Sequence, residues 1–237
     1  MKAAFFVCIL AAHLAAAADQ VPSGAVQGAI SAVTGIARLR PASSEVWEQV
    51  SKGQVVRAGD VLRTMQGSRL QLILRDGAVL FLGPLSTAEI RDSGAVAPKA
   101  KGALRYRLKL LAGAVLARIM RQRAGDVFAI ETPSAVASVK GTRFALCAAS
   151  ESGTELVVFE GLVRISNGKG GRDVPAGFSL FLSSEGAPGE PIAIDPKHAP
   201  AWLGSLLASG KGERVIRAKV VDRGGEEREL ILRFSGK

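Results

Sequence analysis

The sequence is poor in cysteine, histidine and aromatic residues: 237 residues include two cysteines, two histidines and 5% aromatics. Cys8 and His13 both lie in an N-terminal apolar run, and without that run only Cys147 and His198 remain. A single cysteine excludes an intramolecular disulfide, and Cys147 is interpreted as a buried small residue rather than a reactive thiol or an intermolecular partner. A single histidine without cysteine or histidine at ligand spacing argues against a metal site, and no cofactor is predicted.

The N-terminal segment has the three-part layout of a secretory signal peptide. One lysine precedes an apolar run, and small residues at Ala16 to Ala18 offer a cleavage site. A retained membrane anchor is the alternative, but the run is short for a spanning helix. The prediction is a signal peptide at residues 1–18, a periplasmic or secreted chain, and no transmembrane helix after cleavage.

The remaining sequence favours β-structure. Hydrophobic residues make up 48% of the chain, and short Val, Leu and Ile runs alternate with 27 glycines. We expect an all-β sandwich or roll of stacked antiparallel hairpins at residues 25–185, beginning with one strand over 25–40. Residues 186–237 are expected to form an extension with one short helix at 196–209 and a β-hairpin at 214–235.

A weak repeat places glycines at equivalent positions. "LQLILRDGAV", "YRLKLLAGAV" and "TELVVFEGLV" share alternating apolar residues followed by glycine, at Gly77, Gly113 and Gly161. Each glycine is interpreted as a turn between two strands. The uneven spacing argues against a regular solenoid.

The step Lys140-Gly141-Thr142 allows two interpretations. It lacks the upstream glycines of a phosphate-binding loop. Ser138 and Lys140 share one strand face, so a catalytic dyad is conceivable, yet no third member or oxyanion donor is evident. The favoured interpretation is a corner at Gly141, after a strand over 135–139 that Pro133 precedes.

Several stretches resemble the FecR-like domain of bacterial envelope proteins. They are "GDVLRT", "SRLQLILRDGAVLFLGP", "LLAGAV", "FAIETPSAVASVKGTRFAL", "TELVVFEGLVRI" and "VPAGFSL", in that order over about residues 28–182. The resemblance implies an extracytoplasmic all-β domain without catalytic residues to transfer. Its best-known members carry a cytoplasmic arm that binds a sigma factor, and no such arm is expected before the N-terminal apolar run.

A basic ladder stands out from the rest of the charge pattern. It consists of Arg105, Arg107 and Lys109 on one face of "LRYRLKLL", joined by Arg118 and Arg121 on an expected partner strand after Gly113. No acidic residue occurs between 104 and 125. The ladder is either a solvated outer face that guards a sheet edge or a patch for an anionic partner.

Two functions are compatible with these features, and neither is enzymatic. The first is an exported binding or scaffold domain that contacts an envelope protein, a glycan or an anionic polymer, and not nucleic acid. The second is a sensor component of FecR-type envelope signalling that works through a separate membrane partner. The aromatic residues Trp47 and Trp202 are expected to anchor structure rather than stack on sugars.

Overall fold

The computed structural model describes residues 25–91, 105–119, 127–139, 141–149, 153–195, 202–204, 213–221 and 227–235. The predicted all-β class is confirmed, because nearly all regular structure in these ranges is β-strand. The expected signal peptide, Lys140, Arg121 and His198 lie outside the described residues. Within the described ranges, no helix is long and apolar enough to cross a membrane.

Nineteen strands are described. They are β1 (Val26–Thr34), β2 (Ala37–Arg40), β3 (Glu48–Gln49), β4 (Val55–Arg57), β5 (Val61–Thr64), β6 (Arg69–Leu74), β7 (Val79–Leu82), β8 (Thr87–Arg91), β9 (Arg105–Arg118), β10 (Val127–Glu131), β11 (Val136–Val139), β12 (Arg143–Ala149), β13 (Gly153–Glu160), β14 (Leu162–Asn167), β15 (Gly170–Pro175), β16 (Phe178–Leu182), β17 (Ile192–Ala193), β18 (Glu213–Val221) and β19 (Glu227–Ser235).

The first seventeen strands form one sheet that folds into two layers. Layer one has the order β4-β1-β6-β7-β9-β12-β13-β16-β17. Layer two has the order β3-β2-β5-β8-β9-β10-β11-β14-β15. Strand β9 belongs to both, with its first half in layer two and its second half in layer one.

One hydrophobic core lies between the layers. Alternate residues of each strand point into it, because successive side chains of a strand leave opposite faces. Leu72 and Leu80 of layer one and Leu62 and Leu110 of layer two are each fully buried in this core. The predicted hairpin of 70–74 with 78–82 is present as β6 and β7.

The side-chain alternation of β9 changes phase near Gly113. Leu108 and Leu110 face the core before this point, whereas Val115 and Ala117 face it afterwards. The pairing with β8 shifts by one residue between Thr87 and Ala88, as expected when a bulge adds one residue to a strand. The bulge lets β9 leave layer two and enter layer one.

Three expectations about the strands need correction. Residues 25–40 form two strands in different layers, because the chain turns at Gly35 with a φ of 74°. Gly113 does not end a strand, since β9 runs unbroken from Arg105 to Arg118. Strands β9 and β10 pair in parallel, so the layers are not built from antiparallel hairpins alone.

The C-terminal region extends the layered unit. Strand β17 pairs with β16, so the sheet includes residues beyond 185. Residues 202–204 form a helical turn inside the expected helix, whose other residues are not described. Strands β18 and β19 pair antiparallel as expected for the terminal hairpin, and the glycines at its expected turn are outside the described ranges.

Candidate binding surface

The outer face of layer two carries Lys109 between two acidic residues. Glu89 of β8 is its cross-strand partner on one side, and Glu131 of β10 is its partner on the other. Glu89 also forms an ion pair with Arg91, with 2.9 Å between Arg91 Nε and Glu89 Oε1. The acids come from β8 and β10, which precede and follow β9 in the chain, so the absence of acid between 104 and 125 does not leave this row positively charged.

The basic ladder is divided between two faces of the protein. Arg105 and Arg107, described by backbone position alone, lie on β9 within layer two. Arg118 is exposed on layer one, where its partner across the strands is Arg143. The expectation that Arg118 lies beside the first three residues is therefore wrong, because the bulge carries β9 into the other layer. Arg121 lies outside the described residues.

A different basic cluster forms where β2 meets β5. Arg38 and Arg63 lie directly opposite each other, and both side chains are exposed on the outer face of layer two. The Arg63 guanidinium lies 4.3 Å from the centre of the Trp47 ring, and that of Arg40 lies 5.8 Å from it. We call these four residues the Arg–Trp cluster. The anchoring role expected for Trp47 is consistent with these cation–π contacts.

Few acidic residues balance the positive charge of the Arg–Trp cluster. Arg40 pairs with Glu45, with 3.1 Å between Arg40 Nη1 and Glu45 Oε2. Strands β2 and β5 contain no acidic residue, and the neighbours of Arg38 and Arg63 on the flanking strands are Gln49 and Thr87. Like charges directly opposite on a sheet destabilise it. The row of Arg38 and Arg63 is therefore one that an anion would neutralise.

The loop after β2 also covers a cleft of about 400 Å³ between the edges of the two layers. Asp60 lines it, and its carboxylate accepts hydrogen bonds from the backbone N–H of Ala42 (3.2 Å) and of Arg57 (2.8 Å). Burial raises the pKa of Asp60, although these two hydrogen bonds and the charge of Arg57 act in the opposite direction. Asp60 thus holds Ala42, in the loop that carries Trp47, against Arg57 of β4.

Gly141 and Thr142, the described residues of the Lys140-Gly141-Thr142 step, lie where the chain passes from layer two to layer one. Gly141 has a φ of 70° between β11 and β12, and a similar crossing occurs at Gly161, with a φ of 81°. A Cβ on Gly161 would lie 2.9 Å from the carbonyl oxygen of Gly141, so the two crossings are packed together. Gly77, with a φ of 83°, lies in the β6–β7 turn. This geometry supports a corner at Gly141.

The outer face of layer one is apolar around β12 and β13. Val157 and Phe159 pack there against Leu203, with Cys147 and Trp202 beside them. The indole N–H of Trp202 donates to Glu155 at 2.6 Å, so Trp202 anchors the C-terminal segment. Cys147 is half-buried, and burial together with the nearby charge of Glu155 raises its pKa to about 11.

Sequence reasoning missed the Arg–Trp cluster. The alternation in "ARLR" and "VLRT" does place Arg38 and Arg63 on outward faces. It does not show that β2 and β5 pair, because β3 and β4 come between them in the chain. The sequence therefore indicated that each arginine points outward, but not that the two arginines are neighbours.

Comparison with known proteins gave a family match and similar crystal structures. Residues 60–164 match the family model described as FecR protein. Two crystal structures of a proposed anti-sigma factor from Parabacteroides distasonis ATCC 8503, at 1.65 and 2.50 Å, are similar at 18% identity with a TM-score of 0.49. In each case the similarity covers 65% of this chain and 66% of the other. No curated protein matches the chain.

Proposed function

We propose, on the premise that residues 60–164 match the family model of FecR protein, that the chain is an exported, non-enzymatic binding module of the cell envelope. Its partner is an anionic component of the envelope, and its contact surface is the Arg–Trp cluster. The observation that carries the proposal is the pair Arg38 and Arg63, exposed and directly opposite each other without an acid in their row.

The cluster has the chemistry of an anion-binding surface. Guanidinium groups bind carboxylate and phosphate oxygens through two parallel hydrogen bonds. The Trp47 ring holds the Arg63 side chain in place, which lowers the conformational entropy lost on binding. The whole chain has a formal net charge of +10, which favours the approach of an anionic partner over long range.

A second candidate is a component of FecR-type envelope signalling, and the match of residues 60–164 favours it. In that case the partner is a membrane protein of the signalling system with an acidic surface. The two candidates share the contact surface and differ in the partner. Capture of an acidic envelope protein would favour signalling, and capture of an anionic polymer would favour a scaffold.

The test removes the two central charges. Arg38→Gln with Arg63→Gln is expected to lower retention on an isolated envelope fraction by about tenfold or more at low salt, since each arginine near an anionic surface contributes about 1 kcal/mol. Retention of the unmodified protein is expected to fall as salt rises, because exposed charges are screened over about 8 Å at physiological ionic strength.

The matched control carries the same charge change on the other layer. Arg75→Gln with Arg118→Gln removes two exposed arginines of layer one and is expected to leave retention nearly unchanged. Equal losses in the two double variants would show that net charge alone matters, and would remove the cluster from the proposal.

A further inference from the structure

Three apolar residues project from neighbouring loops at one end of the two layers. Ile36, in the β1–β2 loop, is 52% exposed, and Leu85, in the β7–β8 loop, is 64% exposed. Met65, in the β5–β6 loop, lies between them and is half-buried. We call these three residues the apolar tip.

Hydrogen bonds hold the three loops together. The backbone N–H of Met65 donates to the carbonyl oxygen of Ile36 at 3.0 Å, and that of Leu85 donates to the carbonyl oxygen of Met65 at 3.4 Å. Ser68 Oγ accepts a further hydrogen bond from the Ile36 N–H at 2.8 Å. The apolar tip is therefore a fixed arrangement rather than three independent loop ends.

Leu85 has an unfavourable backbone conformation. Its φ of 53° makes it the one non-glycine residue with positive φ in the described ranges. Asparagine and glycine adopt this conformation more easily than leucine does. Because the side chain is largely exposed, its burial contributes little free energy to offset the backbone strain. An exposed, strained apolar residue indicates a contact with something outside the chain.

The residues around the apolar tip indicate the kind of partner that the tip would contact. Arg38 and Arg63 lie two residues along β2 and β5 from Ile36 and Met65, which is about 7 Å at the rise of a strand. The three loops carry no acidic residue. Apolar side chains at an end, with arginines about 7 Å behind them, match the acyl boundary and headgroup region of a bilayer.

We propose that the apolar tip inserts into the surface of an anionic lipid membrane while Arg38 and Arg63 contact the lipid phosphates. This deepens the proposed function, since it names anionic lipid as the partner of the Arg–Trp cluster. Three side chains are few for a stable protein interface, which generally buries more than about 1,000 Å². They are sufficient for reversible attachment to a membrane, in which charge and apolar contact add together.

The experiment is cosedimentation of the chain with vesicles of phosphatidylcholine and phosphatidylglycerol, with vesicles of phosphatidylcholine alone as reference. The protein is expected to bind the anionic vesicles and to bind the neutral ones much more weakly. Leu85→Asn is expected to lower binding by about tenfold, because it removes a buried leucine side chain from the lipid. It should leave the fold intact, since asparagine tolerates positive φ.

The control is Leu162→Asn, which removes an equally apolar residue, 52% exposed, at the start of β14. It should leave vesicle binding unchanged. Ile36→Ser is a second tip variant and should also weaken vesicle binding. It tests the tip independently if Leu85→Asn rearranges the β7–β8 loop.

Other outcomes would overturn the proposal. Equal vesicle binding by the unmodified protein and both tip variants would refute insertion of the tip, and equal binding to neutral vesicles would refute the role of anionic lipid. Failure to bind either vesicle, with retention on the envelope fraction still dependent on Arg38 and Arg63, would refute lipid as the partner. That last result would leave the proposed function standing.

Discussion

Gly113 is the residue on which the passage of β9 between the layers depends. Its φ is 84°, and a Cβ there would lie 2.5 Å from Ser86 Cα and 2.7 Å from the carbonyl oxygen of Leu85. Ser86 also joins the strands, because its Oγ accepts from the N–H of Ala114 at 2.9 Å. A side chain at Gly113 would therefore push apart two backbones that are hydrogen-bonded to each other.

Gly113→Ala should destabilise the fold in two ways. The left-handed conformation costs a non-glycine residue about 1–2 kcal/mol. The overlap with β8 adds about 1–3 kcal/mol, as for other overpacked sites, because the obstructing atoms belong to the backbone. We expect a fall of about 2–5 kcal/mol in the free energy of unfolding, measured by urea denaturation followed by far-ultraviolet circular dichroism.

A control separates the two contributions. Gly53 has a φ of 87° and no atom within 4 Å of an added Cβ, so Gly53→Ala should incur the conformational cost alone. The difference between the two variants measures the overlap at β8. If both alanine variants were destabilised equally, Gly113 would be an ordinary turn glycine, and the argument that close packing of β8 fixes the bulge would be wrong.

Two more predictions concern the outer face of layer one. Alkylation of Cys147 in the folded protein should remain slow at pH 8 and accelerate toward a pKa of about 11, because the thiolate is disfavoured by burial and by Glu155. Iodoacetamide modification followed by mass spectrometry measures this, and a rate that levels off near pH 8.5 would contradict it. Trp202→Phe removes the donor to Glu155 and should lower the free energy of unfolding by about 1.5–3 kcal/mol, as for hydrogen bonds to charged groups. Thermal and urea unfolding of Trp202→Phe and Glu155→Gln would test this, and no change in either variant would show that the contact is not stabilising.

Local patterns in the sequence were sufficient for the class of fold and for several strand pairs. Alternating apolar residues and a glycine turn identify β6 and β7, whose pairing needs only a short connection. The same reasoning failed at Gly113, because a glycine within alternating residues signals a turn and a bulge equally well. A bulge is distinguished from a turn only by the change in which alternate residues face the core, between Leu110 and Val115. Which residues face the core depends on where the second layer lies.

The candidate site was harder to predict because its residues are brought together by pairing between distant strands. Arg38 and Arg63 are joined through β2 and β5, although two strands separate them in the chain. Conversely, Lys109 and Arg118 belong to one strand and lie on different faces. A local pattern determines whether a side chain points outward, but the topology determines which side chains become neighbours.

Charge in such a fold should therefore be added along rows of paired residues rather than along the chain. The row of Glu89, Lys109 and Glu131 has a formal charge of −1, although Lys109 comes from the most basic stretch of the sequence. The row of Arg38 and Arg63, flanked by Gln49 and Thr87, has a formal charge of +2. Because exposed charges separated by more than about 8 Å are screened at physiological salt, the local row rather than the net charge of the chain decides where an anion binds. In the proposed function, this favours a contact at Arg38 and Arg63, beside the apolar tip, over one at Lys109.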